Sequence, residues 1–195
     1  MRIRRSQHQA GPWRISEIAP DFELIDAWAL PVSGRLSDFG ALEDVFLRLD
    51  PTADGGSRPA AMLFALRTRL GRWFGWDDHA NALSIPGCRE TSLRERLPAD
   101  LRSAASASDG HRFRLVYRTA TEWARERSNG TVHAVLHVGW VLQADGSYRG
   151  QLGVYVKPRG SFGRLYMAAI GPFRHLVIYP ALMRQIGRAW DARVC

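Results

Sequence analysis

The sequence predicts an α+β domain, and three observations carry the prediction. Two runs near the C-terminal third, Thr131–Val141 and Ser147–Lys157, alternate in side-chain character around a Gly-ended loop, as the arms of a β-hairpin do. The last stretch, Phe162–Arg193, instead repeats apolar residues at helical spacing. An isolated strand pattern and two helical patterns precede both. Strands and helices therefore segregate along the chain instead of alternating as in a parallel α/β fold.

Each element has a local reason. In Asp21–Leu30, Phe22, Leu24, Trp28 and Leu30 alternate onto one face, and Pro31 closes the strand. Ser37 is placed to cap a helix through Leu49, whose inner stripe is Phe39, Leu42, Val45, Phe46 and Leu49. A second helix is expected from about Pro59 to Trp76, with Met62, Leu66, Leu70 and Trp73 inward. An irregular segment follows over 77–111, and its small polar run Ser103–Gly110 has the composition of a mobile loop. Arg112–Arg118 alternates again and reads as a strand. Thr119-x-x-Glu122 has capping-box spacing and predicts a short helix through Arg127, with a broken strand as the alternative.

The hairpin is the strongest local signal. Ala144-Asp145-Gly146 suits a type I turn followed by a left-handed residue, which sets Leu136 opposite Val154, Val138 opposite Leu152 and Trp140 opposite Gly150. The even-numbered face should meet the core. His133, His137, Gln151, Tyr155 and Lys157 then share the other face with Gly139 and Gly153. In the C-terminal helix, Pro172 and Pro180 each remove a backbone donor, so a kink or break is expected at both.

Composition narrows the classes. The chain has 195 residues, 46% hydrophobic and 24% charged, which excludes disordered and collagen-like chains. Its net charge is +8, but Lys157 is the only lysine among 27 basic residues. The arginines are scattered and interleaved with acids, as in Arg94-Glu95-Arg96, with one cluster at Arg2, Arg4, Arg5 and Arg14. A nucleic-acid surface gathers its cations on one face, so the charge argues against that partner. No run approaches the ~20 apolar residues of a membrane span, and the first 13 residues form a basic, flexible leader without a secretory apolar segment. Cys88 and Cys195 read as free thiols of a cytoplasmic protein. Residues 14–195 are taken as one domain.

Strand, two helices, strands ending in a wide hairpin and a long last helix is the order of the helix-grip fold, an antiparallel sheet curled around its C-terminal helix. The wording of the chain goes further. Ile18-Ala-Pro-Asp-Phe22, Asp26-Ala-Trp-Ala-Leu-Pro31 and Leu70-Gly-Arg-Trp-Phe-Gly-Trp-Asp77 resemble a bacterial family numbered 2867 among the domains of unknown function. So do Thr131–His137, Val154-Tyr-Val-Lys-Pro158 and Tyr166…Pro172-Phe-Arg-His175. The resemblance covers about residues 13 to 190. It implies a distant kinship with the polyketide cyclase/dehydrase and lipid-transfer, START-like superfamily, and with it a cavity between sheet and last helix. Some members are similar to the tail that follows an NAD-binding, short-chain-dehydrogenase-like domain. This chain has no glycine-rich nucleotide fingerprint, so no cofactor is expected and an oxidoreductase would be a separate partner.

Candidate site residues follow. Trp140, Tyr148, Tyr155, Tyr166, Phe173 and Tyr179 are expected to line a cavity for a hydrophobic or aromatic small molecule. Arg159, beside the start of the last helix, is the candidate anion contact. If the chain also catalyses a cyclase- or dehydratase-like reaction, Glu122, Tyr155 and His137 are the candidates for general acid/base work, with Glu126 and Asp77 as further acids near strand ends. His133 and His137 lie on one strand face, but four residues along a strand span ~13 Å, too far for one metal ion. No metal is expected; a zinc site would need His79 or Asp77 from the irregular segment. A binding module, an enzyme and an accessory protein docking on an oxidoreductase are the three readings carried forward.

Overall fold

The computed structural model describes residues 1–49, 85, 88–102 and 113–193, apart from the side chains of Phe162 and Tyr166. The helix expected over 59–76, Asp77, His79, the loop Ser103–Gly110 and Cys195 lie outside the described residues.

The chain opens with two short helices, α1 (Arg5–Gln9) and α2 (Ile15–Ile18), then β1 (Glu23–Gly34). A 3₁₀ turn, Leu36–Asp38, leads into α3 (Phe39–Arg48), so Ser37 sits in that turn instead of capping the helix. A second 3₁₀ turn, Leu93–Arg96, precedes α4 (Ala99–Arg102). Strands β2 (Arg114–Arg118), β3 (Glu122–Ser128), β4 (Val132–Leu142) and β5 (Tyr148–Pro158) follow without a helix between them. The C-terminal part is α5 (Gly160–Ala169), α6 (Gly171–Phe173), a π-helical turn over Arg174–Ile178 and α7 (Tyr179–Asp191). Both prolines fall in first turns, Pro172 in α6 and Pro180 in α7. The helical pattern is interrupted at Ile170, just before Pro172, whereas at Pro180 it passes from π to α geometry without a break.

The five strands form one antiparallel sheet in the order β1-β5-β4-β3-β2. The β4–β5 register is the one the sequence predicts: Leu136 faces Val154, Val138 faces Leu152 and Trp140 faces Gly150. Gly146 takes a φ of 81° in the connecting turn, where a side chain would be strained. The predicted helix over 119–127 is instead strand β3. Thr119 does accept from the Glu122 amide, the bond that suggests a capping box, but Thr119 N–H donates back to the Glu122 carbonyl at 2.8 Å. The motif therefore closes a tight turn between β2 and β3.

Two irregularities redistribute side chains. A register shift between Leu24 and Asp26 splits β1. Phe22 and Leu24 stay with one face of the sheet, whereas Trp28 and Leu30 turn to the other. The single-faced strand of the sequence reading is corrected accordingly, because a bulge inverts the period-two rule downstream. A like shift between Leu115 and Tyr117 buries Val116 beside Tyr117.

Both faces of the sheet are covered. On the even-numbered face Leu30, Val32, Val138, Trp140, Leu152 and Val154 pack with Phe39, Leu42 and Val45 of α3 and with Tyr179, Ile186 and Trp190 of α7. On the other face Trp13, Ile15, Ile18, Ala19 and Phe22 pack with Leu93, Leu97 and Leu101 against Tyr117, Ala124, Val135 and Tyr155. The leader, expected to be flexible, is part of this cover. Ile3 N–H donates to the Ala27 carbonyl and Ala29 N–H to that of Met1, so residues 1–3 shield the free edge of β1. Among the described residues no helix is long and apolar enough to cross a membrane.

Candidate functional site

Polar side chains in the layer under the leader are the most informative part of the fold. β3 and β4 run antiparallel with Glu122 beside Gly139 and Glu126 beside Val135. Glu122 and Glu126 on β3 thus fall diagonal to His137 and His133 on β4, all on one face. Two carboxylate–imidazole pairs result, each closed at 2.8 Å between Nε2 and Oε2. The histidines were expected to be surface or hydrogen-bonded residues; they are hydrogen-bonded and buried.

The first pair is extended into a chain. His137 Nδ1 lies 3.1 Å from His8 Nε2, and His8 Nδ1 lies 3.1 Å from Gln151 Oε1. At the far end Glu122 accepts from the Arg14 amide at 2.8 Å and from the Tyr117 hydroxyl at 2.7 Å. Glycines make room for it: a Cβ on Gly153 would collide with His8, and one on Gly139 with the Trp13 ring. Trp13 closes the layer, donating its indole N–H to the His8 carbonyl at 2.7 Å.

The environment sets each protonation state. Burial and the neighbouring His137 push His8 down from 6.5 to about 4, so its imidazole is neutral near pH 7. Burial opposes ionisation of Glu122, but the bonds from His137, Arg14 and Tyr117 outweigh it and hold the carboxyl below its ordinary range. Burial, then the Glu122 charge, pushes Tyr155 up, and its buried hydroxyl has no hydrogen-bond partner among the described residues. The second pair is a clamp. Besides His133, Glu126 accepts from the Ser92 hydroxyl and, at 2.8 Å, from the Leu93 amide, tying the 3₁₀ turn to the sheet. Burial disfavours its charge, but the His133, Leu93 and Ser92 bonds prevail and lower its carboxyl too.

On the opposite face two further buried acids brace the helices. Asp26 accepts from Tyr179 Oη at 2.8 Å and lies 3.3 Å from Arg174 Nε and 3.2 Å from His175 Nε2. Glu43 of α3 pairs with Arg125 and Arg118, each at 3.1 Å.

A cleft of about 360 Å³ opens beside the first chain, lined by Trp13, Thr121, Trp140, Leu142, Tyr148 and Gln151 among others. It lies between the leader and the hairpin end of the sheet, whereas the expected cavity would lie under the C-terminal helix. Of the predicted ligand contacts, Trp140 and Tyr148 are among its lining residues, although the Trp140 ring itself is buried on the opposite face against Phe39 and Trp190 and stacks on Tyr148 at 6.4 Å. Tyr155 lies in the buried layer near His8 and His137, each ring centroid 6.2 Å away. Tyr179 is spent on Asp26, Phe173 sits half-buried in α6, and Tyr166 is on α5. Arg159 donates to the Asn129 carbonyl at 2.8 Å and the Ser128 hydroxyl at 2.9 Å, which fastens the β3–β4 turn to α5. The candidate acid/base residues Glu122, His137 and Tyr155 do come together.

Sequence reasoning missed His8, Trp13 and Gln151 as site residues. The matching spacings Glu122-x-x-x-Glu126 and His133-x-x-x-His137 were the available signal, legible once residues 122–128 are read as a strand.

The fold and site define an α+β protein whose antiparallel sheet carries a buried carboxylate–imidazole chain ending at an open cleft. More particularly, the chain belongs to the family described as Protein of unknown function (DUF2867), whose model matches residues 18–181. No curated protein and no solved structure matches it.

Proposed function

We propose that the protein binds a small, largely apolar ring compound in the cleft between its N-terminal segment and the hairpin end of the sheet. The observation that carries this reading is the wall of that cleft, where Trp13, Leu142 and Tyr148 supply apolar surface and Gln151, Gln7 and Thr121 a few polar atoms. That mixture suits a ligand gripped by its apolar body and oriented by one polar end. We infer in addition that the domain is a variant of the helix-grip architecture with START-like kinship, acting in a bacterial cytoplasm. The order of its elements, with a C-terminal helix on the sheet, supports that kinship.

One observation favours a second reading, an acid/base enzyme without a cofactor. Glu122, His137 and His8 form a hydrogen-bonded chain of the kind that positions a proton, and it ends on a cleft residue, Gln151. Native mass spectrometry of protein purified from its own host tests binding directly. The expected result is a retained species that is lost in the Leu142→Arg/Tyr148→Ala double variant. Retention unchanged in that variant would move the site elsewhere.

A further inference from the structure

We propose that Gln151 selects the chemical class of the cleft's ligand, favouring a carbonyl or other hydrogen-bond acceptor over the corresponding alcohol. The inference rests on the ligand-binding reading and adds what that reading leaves open. Its basis is the proton inventory of the buried chain.

Glu122 is ionised and can only accept, so His137 Nε2 carries a hydrogen. Between His137 Nδ1 and His8 Nε2, 3.1 Å apart, one atom carries a hydrogen and the other a lone pair. With His8 neutral, two arrangements satisfy this. In the first, His8 holds its proton on Nε2, His8 Nδ1 is bare, and Gln151 must turn its amide N–H inward. The charge on Glu122 is then buried beside two neutral imidazoles. In the second, His137 is an imidazolium that donates from both nitrogens, and His8 holds its proton on Nδ1. That proton is donated to Gln151 Oε1, the atom found there at 3.1 Å.

The second arrangement sets a cation against the buried carboxylate, and burial penalises an uncompensated charge far more than a paired one. The guanidinium of Arg14 does not supply that cation, since it pairs with Asp100 at 2.7 Å and Glu17 at 3.0 Å.

The consequence reaches the cleft. With Oε1 held by His8, Gln151 makes no other side-chain hydrogen bond among the described residues. Its Nε2 hydrogens are the part left for a ligand, and they can only donate. A ketone oxygen completes them, whereas an alcohol can do so only by leaving its own hydrogen to find another acceptor. Turning the amide to suit an alcohol would require moving the proton on His8 off Nδ1. Specificity of this kind is large because the mismatch leaves polar groups unpaired.

The test uses a matched pair of probes, acetophenone and 1-phenylethanol, titrated into the whole protein and followed by the indole ¹H–¹⁵N resonances of Trp13 and Trp140. The expected result is a preference of roughly tenfold for the ketone, one hydrogen bond's worth. That preference should vanish in Gln151→Leu and invert in Gln151→Glu, whose second oxygen would face the cleft as an acceptor. Equal binding of both probes to the unaltered protein overturns the selectivity and leaves the cleft reading standing. Binding of neither overturns both. Histidine ¹⁵N spectra supply a readout that needs no ligand or variant. His8 is expected to carry its proton on Nδ1; a His8 with a bare Nδ1 and its proton on Nε2 would overturn the proposal.

Discussion

Acidification should loosen this fold well before its carboxylates titrate, and His8 is the reason. The perturbation is a shift from pH 7.5 to pH 5. His8 takes up a proton near 6.5 when free but near 4 when buried against His137. Its folded value is depressed, so between those limits the unfolded chain binds more protons and stability rises with pH. The contribution is present above 6.5 and is lost as pH falls toward 4. At pH 5 the free imidazole is almost fully charged and the buried one is not, which costs about 2 kcal/mol relative to pH 7.5. The assay is urea unfolding at several pH values, for the unaltered protein and for His8→Gln. Glutamine can still accept from His137 and donate to Gln151 but does not titrate. The unaltered protein should lose about 2 kcal/mol more than the variant across that range. Parallel pH profiles for the two would refute both the burial of His8 and the chain built on it.

Other consequences can be checked alongside. Asp26→Asn should destabilise the fold by about 3 kcal/mol in chemical unfolding, because Arg174 is left without the carboxylate it lies against. Gly153→Ala should displace the His8 ring, lost as a change in the His8 imidazole resonances, since the new methyl occupies its place. Glu126→Gln should cost about 1–3 kcal/mol and selectively speed amide exchange at Leu93, whose N–H it now holds. Below pH 4.5, where free glutamate protonates, the lowered carboxyls of Glu122 and Glu126 should add a second acid-unfolding phase absent from their Gln variants.

The β4–β5 hairpin was legible in the sequence because one observation, alternation around a Gly-ended loop, fixed both pairing and sidedness. Its neighbour β3 was not. The capping-box spacing Thr119-x-x-Glu122 points to a short helix, with a broken strand as the alternative, and five of the seven residues from Glu122 to Ser128 are polar, yet only Arg127 is even half-exposed. Three of the strand's charged residues find partners on other elements: Glu122 and Glu126 bond to histidines of β4, and Arg125 pairs with Glu43 of α3. Polar residues on a strand buried from both sides defeat a hydropathy reading, which assumes charge means solvent. The leader was obscured for a similar reason: four arginines surround His8, and nothing local announces that it fits above Gly153. The bulge in β1 leaves no mark that alternation can detect, yet it decides that Asp26 meets the C-terminal helices.

The glycines at 139 and 153 have a bearing on how the chain is made. They form the recesses that receive Trp13 and His8, so these two side chains dock on strands synthesised more than a hundred residues after them. Throughout translation of more than a hundred intervening residues, the leader has no seat and the apolar face of α2 no cover. The growing chain therefore carries a closing piece made well before its seat, and only the completed hairpin can receive it.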